Sequence, residues 1–478
     1  MGRLKDKLLG VFDIGKTNKK FTLFTMDLHP LETETTRIGE IKIGDLLCDD
    51  GESVVRWVKA VLSKWIGKVS AVAVSTHGAT LTFVGDQGKL LLPIISYNFD
   101  PGEEIKKEFY RIHGSPEELY IRTGTPPLGQ LLNAGIQIFW VSKKFPETYK
   151  RVKRVLLYPG YLTRVLSGFD SVEFTSLGCH TYLLGLPDMK WSSVAEDLNV
   201  PERSPELMNV WDMLGKAEGI VFAPGIHDSN AALLPYLLEY SGDFILASTG
   251  TWCVLMYPGA QFTPSRDDLY RDTLYYVDAL KRPVKAARFK GGYEFNHYVN
   301  IIRERFNVNP LSFRLNREKA SVLLRKNSVF FIPTLTPGTG QFPFSKPRIV
   351  GEIEDAESAY YYLNLSLAVQ TWYGLNLLAG KRNPRVFVQG GFAKNDIYLA
   401  YLATLWKGKI IVAEYAEATS LGTAVTALCA LESGTDPRKL SLGFPMISGE
   451  VVQPLEIEDR YIEEYVDKFL ALCTSEAC

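Results

Sequence analysis

The chain opens on apolar runs separated by short polar turns. Leu8–Phe12 and Phe21–Met26 are two such runs, and a more polar stretch follows near Thr35–Ile43. Their length and their β-branched and aromatic content predict three strands. The period then changes: Val54, Val55, Val58, Val61, Leu62 and Trp65 fall on one face of a helix. Val69–Ser75 reads as a buried strand running into Thr76-His77-Gly78, and helices are expected through much of 103–166. A strand at Gly219–Phe222 ends in Ala223-Pro224-Gly225-Ile226-His227-Asp228.

The plan then repeats. Strands are expected at Phe244–Ala247, Cys253–Met256 and near Leu274–Ala279, with helices at Phe295–Phe306 and Ala356–Leu378. Strand Arg385–Gln389 leads into Gly390-Gly391, a helix at Asp396–Trp406, strand Lys409–Val412 and a helix at Thr419–Leu431 that closes this second half. From Glu456 the tail is amphipathic, with Ile462, Tyr465, Val466, Phe469 and Leu472 at helical spacing. Hairpins followed by alternating helices and strands define an α/β class with mixed sheets. A chain of 478 residues is too long for one core. The renewed pattern places a boundary near Leu238–Ser241, giving lobes at 1–238 and 239–478. No low-complexity segment separates them, so a tight hinge is expected.

Composition narrows the function class. A net charge of −1 gives no general attraction to nucleic acid or to an acidic membrane. The basic run from Lys143 to Arg154 is interrupted by Phe145, Pro146 and Tyr149 and reads as a solvated helix face. The six cysteines are scattered without a Cys-x-x-Cys pair, which argues against zinc or iron–sulfur ligation and for a reduced, cytoplasmic setting. The first residues lack the apolar core of a signal peptide, and no apolar run is long enough to cross a bilayer. A homodimer is compatible with the sequence, which does not determine the oligomeric state.

Two hairpins carry the chemistry. Residues 10–24 and 244–256 each place a short Gly/Thr turn between apolar strands: Asp13-Ile14-Gly15-Lys16-Thr17-Asn18-Lys19-Lys20 in the first, Ser248-Thr249-Gly250-Thr251-Trp252 in the second. Such turns direct backbone N–H groups and hydroxyls outward together, which suits phosphate oxygens. Asp13 sits where a strand meets a glycine. It either caps the turn or stands exposed at the sheet's carboxyl end, where ligands of α/β proteins collect. Asp228 lies between a strand and an apolar helix, as an N-cap or as a carboxylate projecting into a cleft, where it could accept a hydroxyl proton. Gly390-Gly391 ahead of a helix lets a flat ring or phosphate approach the backbone. Gly422 permits close helix packing. His77, Gly78, Asn98 and Asp100 end apolar stretches and could hydrogen-bond the hydroxyls of a sugar, although His77 serves equally as a loop histidine.

Taken in order, these segments resemble the FGGY family of carbohydrate kinases over nearly the whole chain. The resemblance implies an actin-like, ribonuclease H-like ATPase duplication, with two lobes around a central cleft. Asp13, Gly15, Thr17 and Lys20 match the first phosphate motif, while Lys16 stands where that motif has a small hydroxyl residue and Lys19 also departs. Gly250-Thr251 match the second phosphate motif, and Gly390, Gly391 and Asn395, with Glu417-Ala418-Thr419-x-Leu421-Gly422, match the adenosine motif. The family's catalytic aspartate corresponds to Asp228. The Gly-Thr-Trp of the second hairpin, Thr76-His77-Gly78 and His227-Asp228-Ser229 resemble L-rhamnulose and L-fuculose kinases, with Thr80 in place of an aspartate.

The resemblance therefore implies ATP as phosphoryl donor, bound through Gly15, Lys16, Thr17, Asn18, Lys20, Gly250, Thr251, Gly390, Gly391 and Asn395. It implies Mg²⁺ with Asp13 as its protein partner, and a small sugar held by His77, Gly78, Asn98, Asp100, His227 and Ser229. The acceptor is expected to be a 6-deoxy-ketohexose, with a pentulose of the xylulose or ribulose type as the alternative. Two readings from other classes stand beside it: a non-catalytic actin-like binder of nucleotide or sugar, and an actin-like activator, whose cysteine-ligated cluster the scattered cysteines do not supply.

Overall fold

The computed structural model describes residues 7–413, 417–440 and 449–474. The first sheet is built on a hairpin of β1 (Leu8–Ile14) and β2 (Asn18–Thr25), extended antiparallel by β3 (Pro30–Arg37). Helix α1 (Gly51–Ser63) then crosses to β4 (Val69–Thr76), which pairs in parallel with β1. Strands β5 (Gly215–Ala217), β6 (Ile220–Phe222) and β7 (Ile226–His227) complete seven strands, with β6 and β7 both parallel to β4. Helix α2 (Asp228–Glu239) follows directly.

The second sheet repeats the order. Its hairpin is β8 (Phe244–Thr249) and β9 (Cys253–Pro258); β10 (Thr273–Val277) pairs with β11 (Pro283–Phe289), which lies on the far side of β9. After α3 (Gly291–Phe306) and α4 (Ala356–Ala379), β12 (Arg385–Gly390) returns parallel to β8. Helix α5 (Asp396–Leu405), β13 (Ile410–Ala413), α6 (Ala418–Leu431), β14 (Gly449–Val451) and α7 (Asp459–Thr474) end the described chain. In both sheets an antiparallel hairpin with a third antiparallel strand (β3 in the first, β11 in the second, where β10 takes the edge) joins parallel strands through its first member, the duplication that the repeated pattern anticipates.

Strand alternation divides each face. Phe12 and Ile14 of β1, with Val72 and Val74 of β4, meet Val54, Val58, Val61 and Leu62 of α1. The alternate positions, Leu9, Val11, Ala71 and Ala73, face Ala231 and Leu234 of α2 and Leu421, Ala424 and Val425 of α6. Helix α2 turns its other side, Ala232, Leu233 and Tyr236, onto Phe244, Leu246 and Phe387 of the second sheet. It is therefore wedged between the two sheets. A Cβ at Gly422 of α6 would lie 1.8 Å from the carbonyl oxygen of Ala231, so the two helices touch backbone to backbone there.

Three expectations are corrected. The helix expected to close the second half, α6, buries its apolar face in the core of the first sheet. The stretch near 35–43 is not one strand: β3 ends at Arg37, and Glu40–Ile43 turns away to pair with Leu46–Asp49. Strand β11 was not anticipated, because Lys285 and Arg288 mask its apolar alternation and Pro283 opens it. In the tail, Tyr465, Val466 and Phe469 are buried in the second-lobe core, as their spacing predicts.

Candidate active site

Parallel pairing brings three strand ends together. Asp13 lies opposite Ser75, Ile14 opposite Thr76, and Thr76 opposite His227. Asp13, His77 and Asp228 thus emerge side by side from β1, β4 and β7, at the carboxyl edge of the first sheet. Asp13, Gly15, Asn18, Lys20 and Asp228 share one cavity of about 710 Å³ with Thr35, Thr36 and Arg37 of β3 and Thr419 of α6. Lys20 pairs across the hairpin with Asp13 and forms an ion pair with Glu417, tying the hairpin to the start of α6. The cavity is polar, carries cations from two strands, and has room for a polyphosphate.

Asp228 occupies the first turn of α2 rather than its cap; His227 is the N-cap residue. The Ser229 amide donates to Asp228 Oδ1 at 2.6 Å and the Ser229 hydroxyl at 3.2 Å. His227 Nε2 lies 3.3 Å from the same oxygen, and the Asn230 amide donates to His227 Nδ1 at 3.3 Å. The His227 backbone N–H donates to the hydroxyl of Thr175. The carboxylate is held from three sides with one oxygen engaged, and among the described residues no hydrogen bond reaches the other. Ser229, expected to contact substrate, is thus placed to orient Asp228.

Burial, reinforced by the Asp228 carboxylate, pushes the Asp13 carboxyl up to about 7. An unfolded aspartate ionises near 3.9. Between roughly pH 4 and pH 7 the unfolded chain releases a proton that the folded site keeps, so stability falls as pH rises through this window. The metal-free Asp13→Asn variant is expected to melt at a higher temperature than the parent at pH 8 and at nearly the same temperature at pH 4. An equal difference at both values in a thermal melt would contradict this account of Asp13.

Around Asp228 the wall is made of histidines. A Cβ at Gly78 would lie 2.9 Å from His227 Nε2 and 3.5 Å from His180, so this glycine keeps the three groups in contact. Burial holds His77 and His180 neutral, each down to about 3, and lowers His227 as well. Tyr97 packs edge-on against His77, with ring centroids 5.6 Å apart. Burial, with the carboxylates of Asp49, Asp228 and Glu40, pushes its hydroxyl up to about 12.

The second lobe supplies the other half of the cleft. Thr249 lies opposite Gly390 in the parallel pair of β8 and β12. The Thr249 hydroxyl donates to Gln389 O and accepts from the Phe392 amide, locking the second hairpin to the Gly390-Gly391 turn. Gly250 and Thr251 are exposed at the hairpin tip, and a Cβ on Gly292 would lie 2.0 Å from Gly250 O. A cavity of about 390 Å³ is lined by Phe295, Phe313, Arg314, Tyr360, Gly391 and Asn395, a slot with aromatic walls suited to a flat base. Asn395 also caps α5 through the Tyr398 amide, and its own amide donates to Asn364. Gly390 has φ +86, and a Cβ there would lie 2.0 Å from Thr249 O. Gly390→Ala is expected to raise the KM for ATP by roughly tenfold or more, since the motifs would be forced apart. An unchanged KM in steady-state assays would contradict that role.

Two expected site residues are corrected. Lys16 does not face the phosphate cavity. Its ammonium donates to Asp49 Oδ1 at 2.5 Å and Ser96 Oγ at 2.8 Å, lies 3.0 Å from Glu40, and sits over the Tyr97 ring at 4.3 Å. The buried carboxylate of Asp49 draws it to the opposite side of the hairpin. Asp100 is exposed; it accepts from the Gly102 amide and pairs with Lys106, so it caps the turn into the helix Glu103–His113. Asn98 is held by Glu40 at 3.0 Å, in the Lys16 cluster. Thr17 is exposed at the tip of the first hairpin. Reading the sequence missed His180, Asp49, Arg37 and the aromatic slot. They come from separate elements and carry no shared local signal.

A duplicated sheet order with a polar cavity at its strand ends defines the actin-like fold class. Residues 9–216 match the N-terminal domain of the FGGY family of carbohydrate kinases, and residues 241–437 match the C-terminal domain of carbohydrate kinase FGGY. The chain belongs to the FGGY family of carbohydrate kinases, and with it to the ATP-dependent sugar kinases. A rhamnulokinase of Halalkalibacterium halodurans is 26% identical over 263 residues, 51% of this chain and 52% of that enzyme, so this match spans about half of the relative's length. A glycerol kinase of Nitrosomonas eutropha is 25% identical over 389 residues, 76% of this chain and 75% of that enzyme. Among solved structures, a carbohydrate kinase from Novosphingobium aromaticivorans is similar with a TM-score of 0.81 at 25% identity, over 98% of this chain and 99% of that one.

Proposed function

We propose that the protein transfers the γ-phosphoryl group of ATP to the primary hydroxyl of a ketose, a 6-deoxy-ketohexose such as L-rhamnulose or L-fuculose. The observation that carries this reading is the position of Asp228, on the wall shared by the polyphosphate-sized cavity and the His77–Gly78–His227 surface. The ketose hydroxyl oxygen attacks the γ-phosphorus, the bond to the β,γ-bridging oxygen breaks, ADP leaves, and the hydroxyl proton passes to Asp228. Ser229 and His227 keep that carboxylate aimed. Phosphoryl transfer asks for little beyond positioning, charge neutralisation and one such base.

Asp13 and Asp228 offer hard carboxylate oxygens to the same cavity; burial first and the Asp228 carboxylate second raise the Asp13 carboxyl, and a bound cation would offset both. That donor set fits Mg²⁺, which keeps several waters and takes phosphate oxygens. Among the described residues no group of three or more His, Cys, Asp or Glu could hold a metal. Asp13 would therefore hold Mg²⁺ together with phosphates and water, where the ion neutralises charge on the transferring group.

The deoxy-ketohexose reading is supported by the Gly-Thr-Trp turn, His227-Asp228-Ser229 and the rhamnulokinase relative. Thr80 favours a second reading, a pentulose. It stands where the L-rhamnulose and L-fuculose kinase segment has an aspartate, and its hydroxyl lies 3.3 Å from His77 Nδ1. The five described cysteines are free and buried, which supports a reducing, cytoplasmic setting. Among the described residues no helix is long and apolar enough to cross a membrane. A coupled ADP-release screen over L-rhamnulose, L-fuculose, the xyluloses, the ribuloses and glycerol tests the assignment. Dependence on a 6-deoxy-ketohexose supports it, and a preference for glycerol overturns it.

A further inference from the structure

Lys16 stands where the family's phosphate motif has a small hydroxyl residue, and its side chain turns to Asp49, Glu40 and Ser96 instead. Its partners Glu40 and Asp49 lie directly opposite each other in the hairpin Glu40–Ile43/Leu46–Asp49. Two carboxylates so paired repel, and the Lys16 ammonium bridges them. Asp49 is buried, and its Oδ2 has no hydrogen-bond partner. That oxygen lies 4.0 Å from His77 Nε2. His77 Nδ1 faces the Gly78 carbonyl at 3.3 Å. The Thr80 hydroxyl lies at the same 3.3 Å from Nδ1, so a carbonyl and a hydroxyl hold the ring at that nitrogen and Nε2 is left facing Asp49 Oδ2. Asp49 Oδ2 and His77 Nε2 therefore converge, too far apart for a direct hydrogen bond, beside the Tyr97 ring.

We infer that Lys16 belongs to the acceptor side of the cleft: it fixes Asp49 and Glu40 as one wall of the sugar pocket, and the wall selects a neutral polyhydroxylated acceptor over a sugar acid. The inference rests on the kinase reading for the pocket's role. Asp49 Oδ2 calls for a donor, which a sugar hydroxyl supplies and a carboxylate does not, and the same hydroxyl can serve His77 Nε2 as donor or acceptor. The Lys16 ammonium is already matched by two carboxylates. Lys19 is turned back onto the carbonyls of Gly15 and Lys16, so it brings the set only to neutrality. No surplus positive charge is left for an anionic acceptor.

Lys16 acts here as a positioning residue, so the test separates the two substrates. Dissociation constants for ATP and for each sugar are measured by titration calorimetry on the full chain, for the parent, Lys16→Met and Lys16→Arg. Steady-state KM values are measured in parallel. The sugars are L-rhamnulose, L-fuculose, D-xylulose and L-ribulose, with D-gluconate as the acid.

Lys16→Met is expected to weaken the preferred ketose by about tenfold or more and to leave ATP binding within about twofold, with Lys16→Arg recovering most of the loss. D-gluconate is expected not to compete. Weakened ATP binding with unchanged ketose binding would overturn the inference, as would gluconate binding comparable to the best ketose, no ketose binding to the parent, or a Lys16→Met variant that binds both normally. A Lys16→Met chain that does not fold, with Lys16→Arg losing ketose and ATP affinity alike, would also overturn it. Ketose binding without ADP release would instead sink the kinase reading while the Lys16 assignment stands.

Discussion

Replacing Asp228 by asparagine is expected to lower kcat by roughly 10²–10⁴-fold while leaving the Kd for ATP within about twofold of the parent. The asymmetry follows from geometry. Asp228 Oδ1 is anchored by the Ser229 amide and hydroxyl, and asparagine can keep its carbonyl oxygen there. What it loses is the second oxygen as a proton acceptor, which matters only as the sugar hydroxyl reacts. Ser229→Ala is expected to cost less, because the backbone amide still holds Oδ1. Near-normal turnover in Asp228→Asn would remove Asp228 from the base role, and a large loss of ATP affinity would recast it as a nucleotide ligand.

The second large effect lies where α2 and α6 touch. At Gly422 a methyl group would sit 1.8 Å from Ala231 O, and the clashing atom is backbone in a helix wedged between two sheets. Neither helix can yield without disturbing a core on its far side. Gly422→Ala is therefore expected to destabilise the protein by about 3 kcal/mol, read as a lower denaturant midpoint at unchanged slope. The surviving folded fraction should also turn over more slowly, since α2 carries Asp228 at its start. A loss below about 0.5 kcal/mol would mean that the helices cross with more slack than the contact indicates.

What the sequence made legible was local. The Asp13–Lys20 and Ser248–Trp252 hairpins announce themselves because strand, turn and strand are consecutive, and turn chemistry follows from residue type. Asp228 was legible as a carboxylate where a strand meets a helix, although its place as the first helical residue rather than the cap depends on how β7 ends. The direction of Lys16 is not legible because Asp49 and Glu40 set it, the first 33 residues away, on a hairpin whose first strand the sequence pattern runs together with β3. The packing of α6 on the first sheet was invisible for a related reason. Its apolar face shows that it is buried, and nothing in its own residues says against which sheet. His180 has a positive φ of 44 in an irregular segment and meets Gly78 and His227 only through tertiary folding.

The central claim is that one cleft brings the terminal phosphate of ATP and a ketose hydroxyl to Asp228. Phosphorus–proton correlation NMR of the product formed from ATP and the preferred ketose tests it most directly. The account predicts one sugar phosphate per ADP, with the phosphorus coupled to the protons of the primary carbon. Inorganic phosphate as the sole phosphorus product beside ADP, or a phosphate on a secondary hydroxyl, would contradict it.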